Sequence, residues 1–124
     1  MRRQCPCGLA GELGQYDEPV WEPLLRVVGD RLVETFMWMN ETVLEDGTVL
    51  NAYKHIYTRR YLYLTESGAA FEYAPCGAYV PLRLDYALEA ALCNWWLLAG
   101  WDADDARAVR DAVLRANRSV GEAV

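Results

Sequence analysis

What this chain has little of narrows it before any pattern is read. It carries one histidine, His55, and one lysine, Lys54, in 124 residues. A single imidazole leaves a single general base of that kind. There is no glycine-rich phosphate loop, no His-Glu-x-x-His pair and no nucleophile elbow, so three common routes to catalysis are missing. Long apolar runs are also missing. The longest, residues 90–101, is interrupted by Asn94 and falls short of the roughly 20 residues that span a bilayer. Met1-Arg2-Arg3-Gln4 is not followed by the apolar stretch of a secretory signal, and the expectation is a cytoplasmic protein with no membrane partner. Positive charge is in deficit, with 12 Lys and Arg against 18 Asp and Glu and a net charge of −6. That balance disfavours a protein that coats nucleic acid or anionic lipid, since both need a positive field. Neither repeats nor low-complexity blocks occur.

What is present fits one folded domain. At 53% hydrophobic and 24% charged, the chain is long enough to bury a core without disulfides. In a reducing compartment its four cysteines, Cys5, Cys7, Cys76 and Cys93, are thiols or metal ligands. Residues 1–16 are polar and Gly-rich without a period and read as a flexible arm, residues 17–120 as the domain, and residues 121–124 as a frayed tail.

Within the domain the pattern runs helix, strands, helices. Pro23 suits a first helical turn, where its missing N–H costs nothing. Leu24, Leu25, Val28 and Leu32 follow at helical spacing, with Gly29 a place for an early stop. From about Glu34 strands begin. Asp46-Gly47 between apolar runs predicts a two-residue hairpin turn that pairs Leu44 with Val49. That register sets Trp38 opposite His55, Phe36 opposite Tyr57 and Asn40 opposite Tyr53, with Glu41 diagonal to Lys54. Glu66-Ser67-Gly68 marks a second turn, which pairs Phe71 with Leu64 if two residues form the loop and with Tyr63 if three do. Pro75-Cys76-Gly77 is a third turn, leading to a short strand that Pro81 confines to an edge. Asp85 is then expected to cap a helix whose stripe is Leu88, Ala91, Leu92, Trp95, Trp96 and Ala99, closed by Gly100. Asp102 opens a last helix with Asp104 and Asp105 in its first turn. The expected fold is α+β: an antiparallel meander of four to five strands, with an N-terminal helix and two C-terminal helices packed on one face.

Three constellations bear on function. The first is residues 48–65, TVLNAYKHIYTRRYLYLT, which hold four tyrosines and two arginines without an acidic residue. As one long strand, Tyr53, His55, Tyr57, Arg59, Tyr61 and Tyr63 share a face, joined by Phe36 and Trp38 from the neighbouring strand. Tyr, Trp and Arg dominate binding hot spots, so this face suits a protein partner. Single-stranded nucleic acid also stacks on such rings, although the net charge disfavours it. The plainer alternative is that the rings are core, because aromatic residues favour strands for packing reasons alone. The second is the cysteines. Cys5-Pro6-Cys7-Gly8 and Pro75-Cys76-Gly77 resemble halves of a zinc knuckle, which makes Cys5, Cys7 and Cys76 candidate zinc ligands with Cys93 or His55 as a fourth. Only one residue separates Cys5 from Cys7, however, where knuckles have two. The third is catalysis, for which a Cys76–His55 pair is the one conceivable nucleophile and base. Adjacent Trp95 and Trp96 point roughly 100° apart on a helix and leave a dimer surface open as a further alternative.

The reading is a small cytoplasmic interaction module, regulatory or inhibitory and not an enzyme, that binds a protein through the aromatic and basic face of Phe36, Trp38, Tyr53, His55, Tyr57, Arg59, Tyr61 and Tyr63. A small enzyme or small-molecule binder using the same face is the competing class. A single-strand nucleic-acid binder is the third, recognisable by salt-sensitive affinity. Which face of the sheet is inside decides among them.

Overall fold

The computed structural model describes residues 8–14, 18–92, 95 and 102–122, with side chains up to 118. The element order is β1 (Gly11–Leu13), α1 (Glu22–Val33), β2 (Phe36–Leu44), β3 (Val49–His55), β4 (Tyr61–Thr65), β5 (Ala70–Tyr73), β6 (Tyr79–Leu82), α2 (Leu84–Leu92) and α3 (Ala103–Glu122). The fold is α+β, with six antiparallel strands in sequence order where four or five were expected. The additional strand comes from the stretch expected to be a loose arm. β1 pairs with β2, Gly11 opposite Leu44 and Leu13 opposite Thr42, and Gly14 N donates to Glu41 O.

The sheet then curls until its two ends meet. Leu9 and Tyr79 exchange backbone hydrogen bonds of 2.9 and 2.7 Å, which joins the chain just before β1 to β6. The approach is close. A Cβ on Gly11 would stand 2.8 Å from Thr42 Cγ2, 2.9 Å from Leu44 Cδ2 and 3.0 Å from Tyr79 Cε2. The curl gives the sheet an inner face, where Thr42, Leu44, Leu50 and Ala52 are buried apart from the core that packs on the helices. The outer face packs on the helices, and there Leu24, Leu32, Phe36, Tyr53, Leu62, Leu64, Leu88 and Trp95 form the main core.

All three short hairpins use one turn. In each, a residue bonds to the residue four further on, around a three-residue loop that ends in glycine: Leu44 with Thr48, Thr65 with Ala69, Ala74 with Ala78. Gly47, Gly68 and Gly77 have φ of 92°, 92° and 88°, the left-handed conformation of a type I turn closed by a bulge. This corrects the two-residue turn expected at Asp46-Gly47 and moves the register by one, to Val43 opposite Val49. It also settles the second turn as the three-residue form, with Tyr63 opposite Phe71. A bulge between Trp38 and Asn40 shifts β2 by one more, so Phe36 faces His55 and Trp38 faces Tyr53. The bulge changes faces as well. Phe36 and Trp38 stay on the helix side, while Asn40, Thr42 and Leu44 go to the inner face with Ala52 and Leu50. Glu41 lies opposite Asn51 on the helix side, and Lys54 lies opposite Met37 on the other, so the expected Glu41–Lys54 pair does not form.

The helices tie to one another through charge. Pro23 stands at the start of α1, and Gly29, with φ 85° and ψ 172°, breaks the helix before it resumes to Val33. Asp102 caps α3 by accepting from Asp105 N at 2.8 Å, and Arg31 of α1 reaches Asp105 at 2.8 Å. Asp85 is not the cap of α2 but lies in its first turn, buried. It accepts from Arg83 Nη2 at 2.9 Å and from Asn117 Nδ2 of α3 at 3.0 Å. The Asn117 bond, with Arg83 alongside, holds its carboxyl below the usual range despite burial. Of the apolar stripe, Leu88, Ala91, Leu92 and Trp95 are buried, and Trp96, Ala99 and Gly100 lie outside the described residues.

Candidate functional site

The eight residues expected to share one face are divided by the structure into three places. β3 ends at His55 and β4 begins at Tyr61, so residues 49–64 are two strands joined by a corner and not one continuous stripe. Phe36, Tyr53 and His55 are buried between the sheet and the helices, and half-buried Trp38 borders them. Tyr57 and Arg59 lie in the corner. Tyr61 and Tyr63 are on the opposite, inner face, since Tyr61 pairs with Lys54 and Tyr63 with Ala52.

His55 is fully enclosed, at 0% exposure. Phe36 and Trp95 meet its ring edge-to-face at 4.9 and 4.7 Å. Nδ1 accepts from the backbone N–H of Tyr57 and Thr58 at 3.3 and 3.2 Å. The proton therefore resides on Nε2, which has no hydrogen-bond partner among the described residues. Burial lowers its pKa to about 4. In its neutral form the imidazole holds the corner of backbone that follows β3. The corner is held at α2 as well: Thr58 Oγ1 donates to Ala91 O at 2.6 Å and Arg60 Nη1 to Ala90 O at 3.3 Å, both at the negative end of the helix. Arg59 between them takes φ 65°, rare for a residue with a side chain. Tyr57 stacks on Trp95 at 5.6 Å and 16°.

The exposed aromatic cluster is elsewhere, at the open end of the inner face. Tyr61 stacks on Tyr63 at 5.7 Å, Tyr63 meets Tyr79 edge-on at 5.4 Å, and Tyr79 lies 4.9 Å from Tyr73. Lys54 Nζ stands 5.8 Å from the Tyr61 ring centroid. Tyr61 and Tyr73 are 41% and 55% exposed, whereas burial beside the other tyrosines pushes the Tyr63 phenol up to about 12. Here β4 and β5 part company. Their ladder holds two pairs, Tyr63 with Phe71 and Leu64 with Ala70, and then stops, although both strands continue. A cleft of about 340 Å³ opens between Tyr61-Leu62 and Glu72-Tyr73. Tyr73 and Tyr79 were missed from sequence because their partnership depends on the Pro75-Cys76-Gly77 loop having three residues. With that loop length they stand directly opposite.

Of the candidate zinc ligands, Cys5, Cys7 and Cys93 lie outside the described residues. Cys76 is an exposed thiol in the β5–β6 turn. Among the described residues no group of three or more His, Cys, Asp or Glu is arranged to hold a metal ion. None of the described helices is long and apolar enough to cross a membrane. Compared with protein-family models, with curated proteins and with solved structures, the chain matches none of them, so its own geometry is the basis for reading it.

Proposed function

We propose that the protein is a small interaction module that takes an extended segment of a protein partner at the tyrosine-lined cleft between β4 and β5. One observation carries this reading: exposed aromatic rings adjoin strand edges that have no ladder partner. Backbone edges offer main-chain hydrogen bonds to an added strand, and pockets beside them select its side chains. Tyrosine is well suited to this, with a large rigid ring and a polar tip. Lys54 favours a segment carrying an acidic residue next to its apolar one.

The other two classes draw less support. An enzyme would use His55, whose imidazole is enclosed by rings and bonded to backbone amides. A single-strand nucleic-acid binder would use one run of rings and arginines, and Arg59 lies in the corner between β3 and β4, off the strand that carries Tyr61 and Tyr63.

Display of random extended peptides against the purified chain tests the proposal. Selected peptides should lose roughly tenfold or more in affinity on Tyr61→Ala or Tyr73→Ala, and little on Tyr57→Ala. Peptides that bind equally well to Tyr73→Ala, or a failure to select any, would refute it.

A further inference from the structure

The four hairpins of the sheet each end their loop on a residue in the left-handed conformation, and in three of them that residue is glycine: Gly47, Gly68 and Gly77. The fourth loop, residues 56–59 between β3 and β4, is closed by His55 N donating to Arg60 O and Arg59 N donating to His55 O, both at 2.9 Å. Its last residue is Arg59, at φ 65°. Among the described residues, every other position with positive φ is a glycine. A side chain in this conformation crowds the neighbouring carbonyl oxygen, so glycine is the favourable choice and arginine is not.

The loop is built firmly enough to hold the unfavourable residue. His55 Nδ1 accepts from the amides of Tyr57 and Thr58, Thr58 Oγ1 bonds to Ala91 O, and Arg60 Nη1 bonds to Ala90 O. Arg60 N also donates to Thr58 Oγ1 at 3.3 Å. Strain of this kind persists only where the surroundings over-determine it, and it concentrates at sites of function. The arginine side chain returns nothing to the fold. It is exposed, and its guanidinium makes no hydrogen bond or ion pair among the described residues. Most other described arginines are engaged: Arg26 and Arg115 with backbone carbonyls, Arg31, Arg83 and Arg107 with carboxylates. No acidic residue occurs from 48 to 65, so the loop supplies no counter-charge of its own.

We propose that Arg59 is a recognition residue, held out by the β3–β4 loop to grip a carboxylate on a protein partner. The planar guanidinium fork matches a carboxylate with two parallel hydrogen bonds. One free guanidinium suits a single such group, and the net charge of −6 opposes the repeated phosphates of a nucleic acid. Arg59 does not line the tyrosine cleft, and the contact stands or falls independently of the reading given for that cleft.

The test is selection of random displayed peptides on the full wild-type chain after depletion of the library on Arg59→Gly. Peptides that survive depletion should carry Asp or Glu, and replacing that residue by Asn or Gln should weaken binding roughly tenfold. Arg59→Ala, which keeps the backbone strain, should lose the same peptides, whereas Tyr73→Ala should keep them. Arg59→Gly should meanwhile raise the midpoint of urea denaturation, so that one substitution improves the fold and removes the binding. No enrichment over Arg59→Gly, enriched peptides without a carboxylate, peptides retained by Arg59→Ala, or a lower denaturation midpoint in Arg59→Gly would each overturn the proposal.

Discussion

His55 is neutral in the folded chain and ordinary in the unfolded one, and that difference is a stability term. Its pKa falls from 6.5 to about 4 through burial. Between those values the unfolded chain holds a proton that the folded chain does not, so stability is complete above about pH 6.5 and declines as pH falls towards 4. The loss is worth roughly 3 kcal/mol if the window is crossed entirely. Urea denaturation at pH 7 and pH 4.5 should show it, and His55→Gln should flatten the profile over that interval relative to wild type. Asp46, Asp85 and Asp102, whose carboxyls are held below their usual range, contribute mainly at lower pH. Gly47 makes a different point. A Cβ there would touch nothing within 4 Å, so only its φ of 92° opposes a side chain. Gly47→Ala should therefore cost about 1 kcal/mol, measured by the same denaturation, with no change in the sheet's spectrum.

At the scale of elements, the hairpins show how one residue of loop length governs a face. The sequence patterns Glu-Asp-Gly, Glu-Ser-Gly and Pro-Cys-Gly are three instances of one three-residue turn. Taking Asp46-Gly47 as a two-residue turn and β2 as unbroken together misplaced Phe36 against Tyr57, although the strands themselves were legible from their apolar and aromatic runs. The bulge beside Met39 was not legible, because no glycine or proline marks it. Between helices, buried Asp85 is the junction, bonded to both Arg83 and Asn117. Asp85→Ala removes the buried acceptor that Arg83 and Asn117 share and should destabilise the protein by roughly 2 kcal/mol. Asp85→Asn, which keeps an acceptor oxygen, should cost less. Equal losses in the two variants would mean that packing, not hydrogen bonding, makes the junction.

For the whole molecule, closure of the sheet is the decisive feature. Two backbone hydrogen bonds between Leu9 and Tyr79 join its ends, and Gly11 permits the approach. Gly11→Val adds atoms where none fit and should destabilise by about 2 kcal/mol, the usual cost of overpacking. Hydrogen exchange should accelerate first at the Leu9 and Tyr79 amides, ahead of the β2–β3 ladder. Uniform acceleration would mean that the bridge is not an independent closing contact.

The sequence by itself determined the α+β order and most of the helices and strands, though not β1, and it marked the break at Gly29 and the start of the last helix at Asp102. Each follows from a local cause: apolar period, turn chemistry, or a side chain that satisfies a backbone amide a few residues away. It also marked the run of aromatic residues from Phe36 to Tyr63. Only the tertiary structure decided which of them are core and which are surface. Phe36, Tyr53 and His55 lie under the helices, and Tyr61 and Tyr63 lie on the inner face beside Tyr73 and Tyr79. Side chains alternate across a strand with a period of two, so a turn one residue longer, a bulge and a corner each reverse the assignment without changing composition or pattern. Those reversals depend on the loop conformations and on the closure at Leu9 and Tyr79, a contact between residues 70 positions apart that no local period encodes.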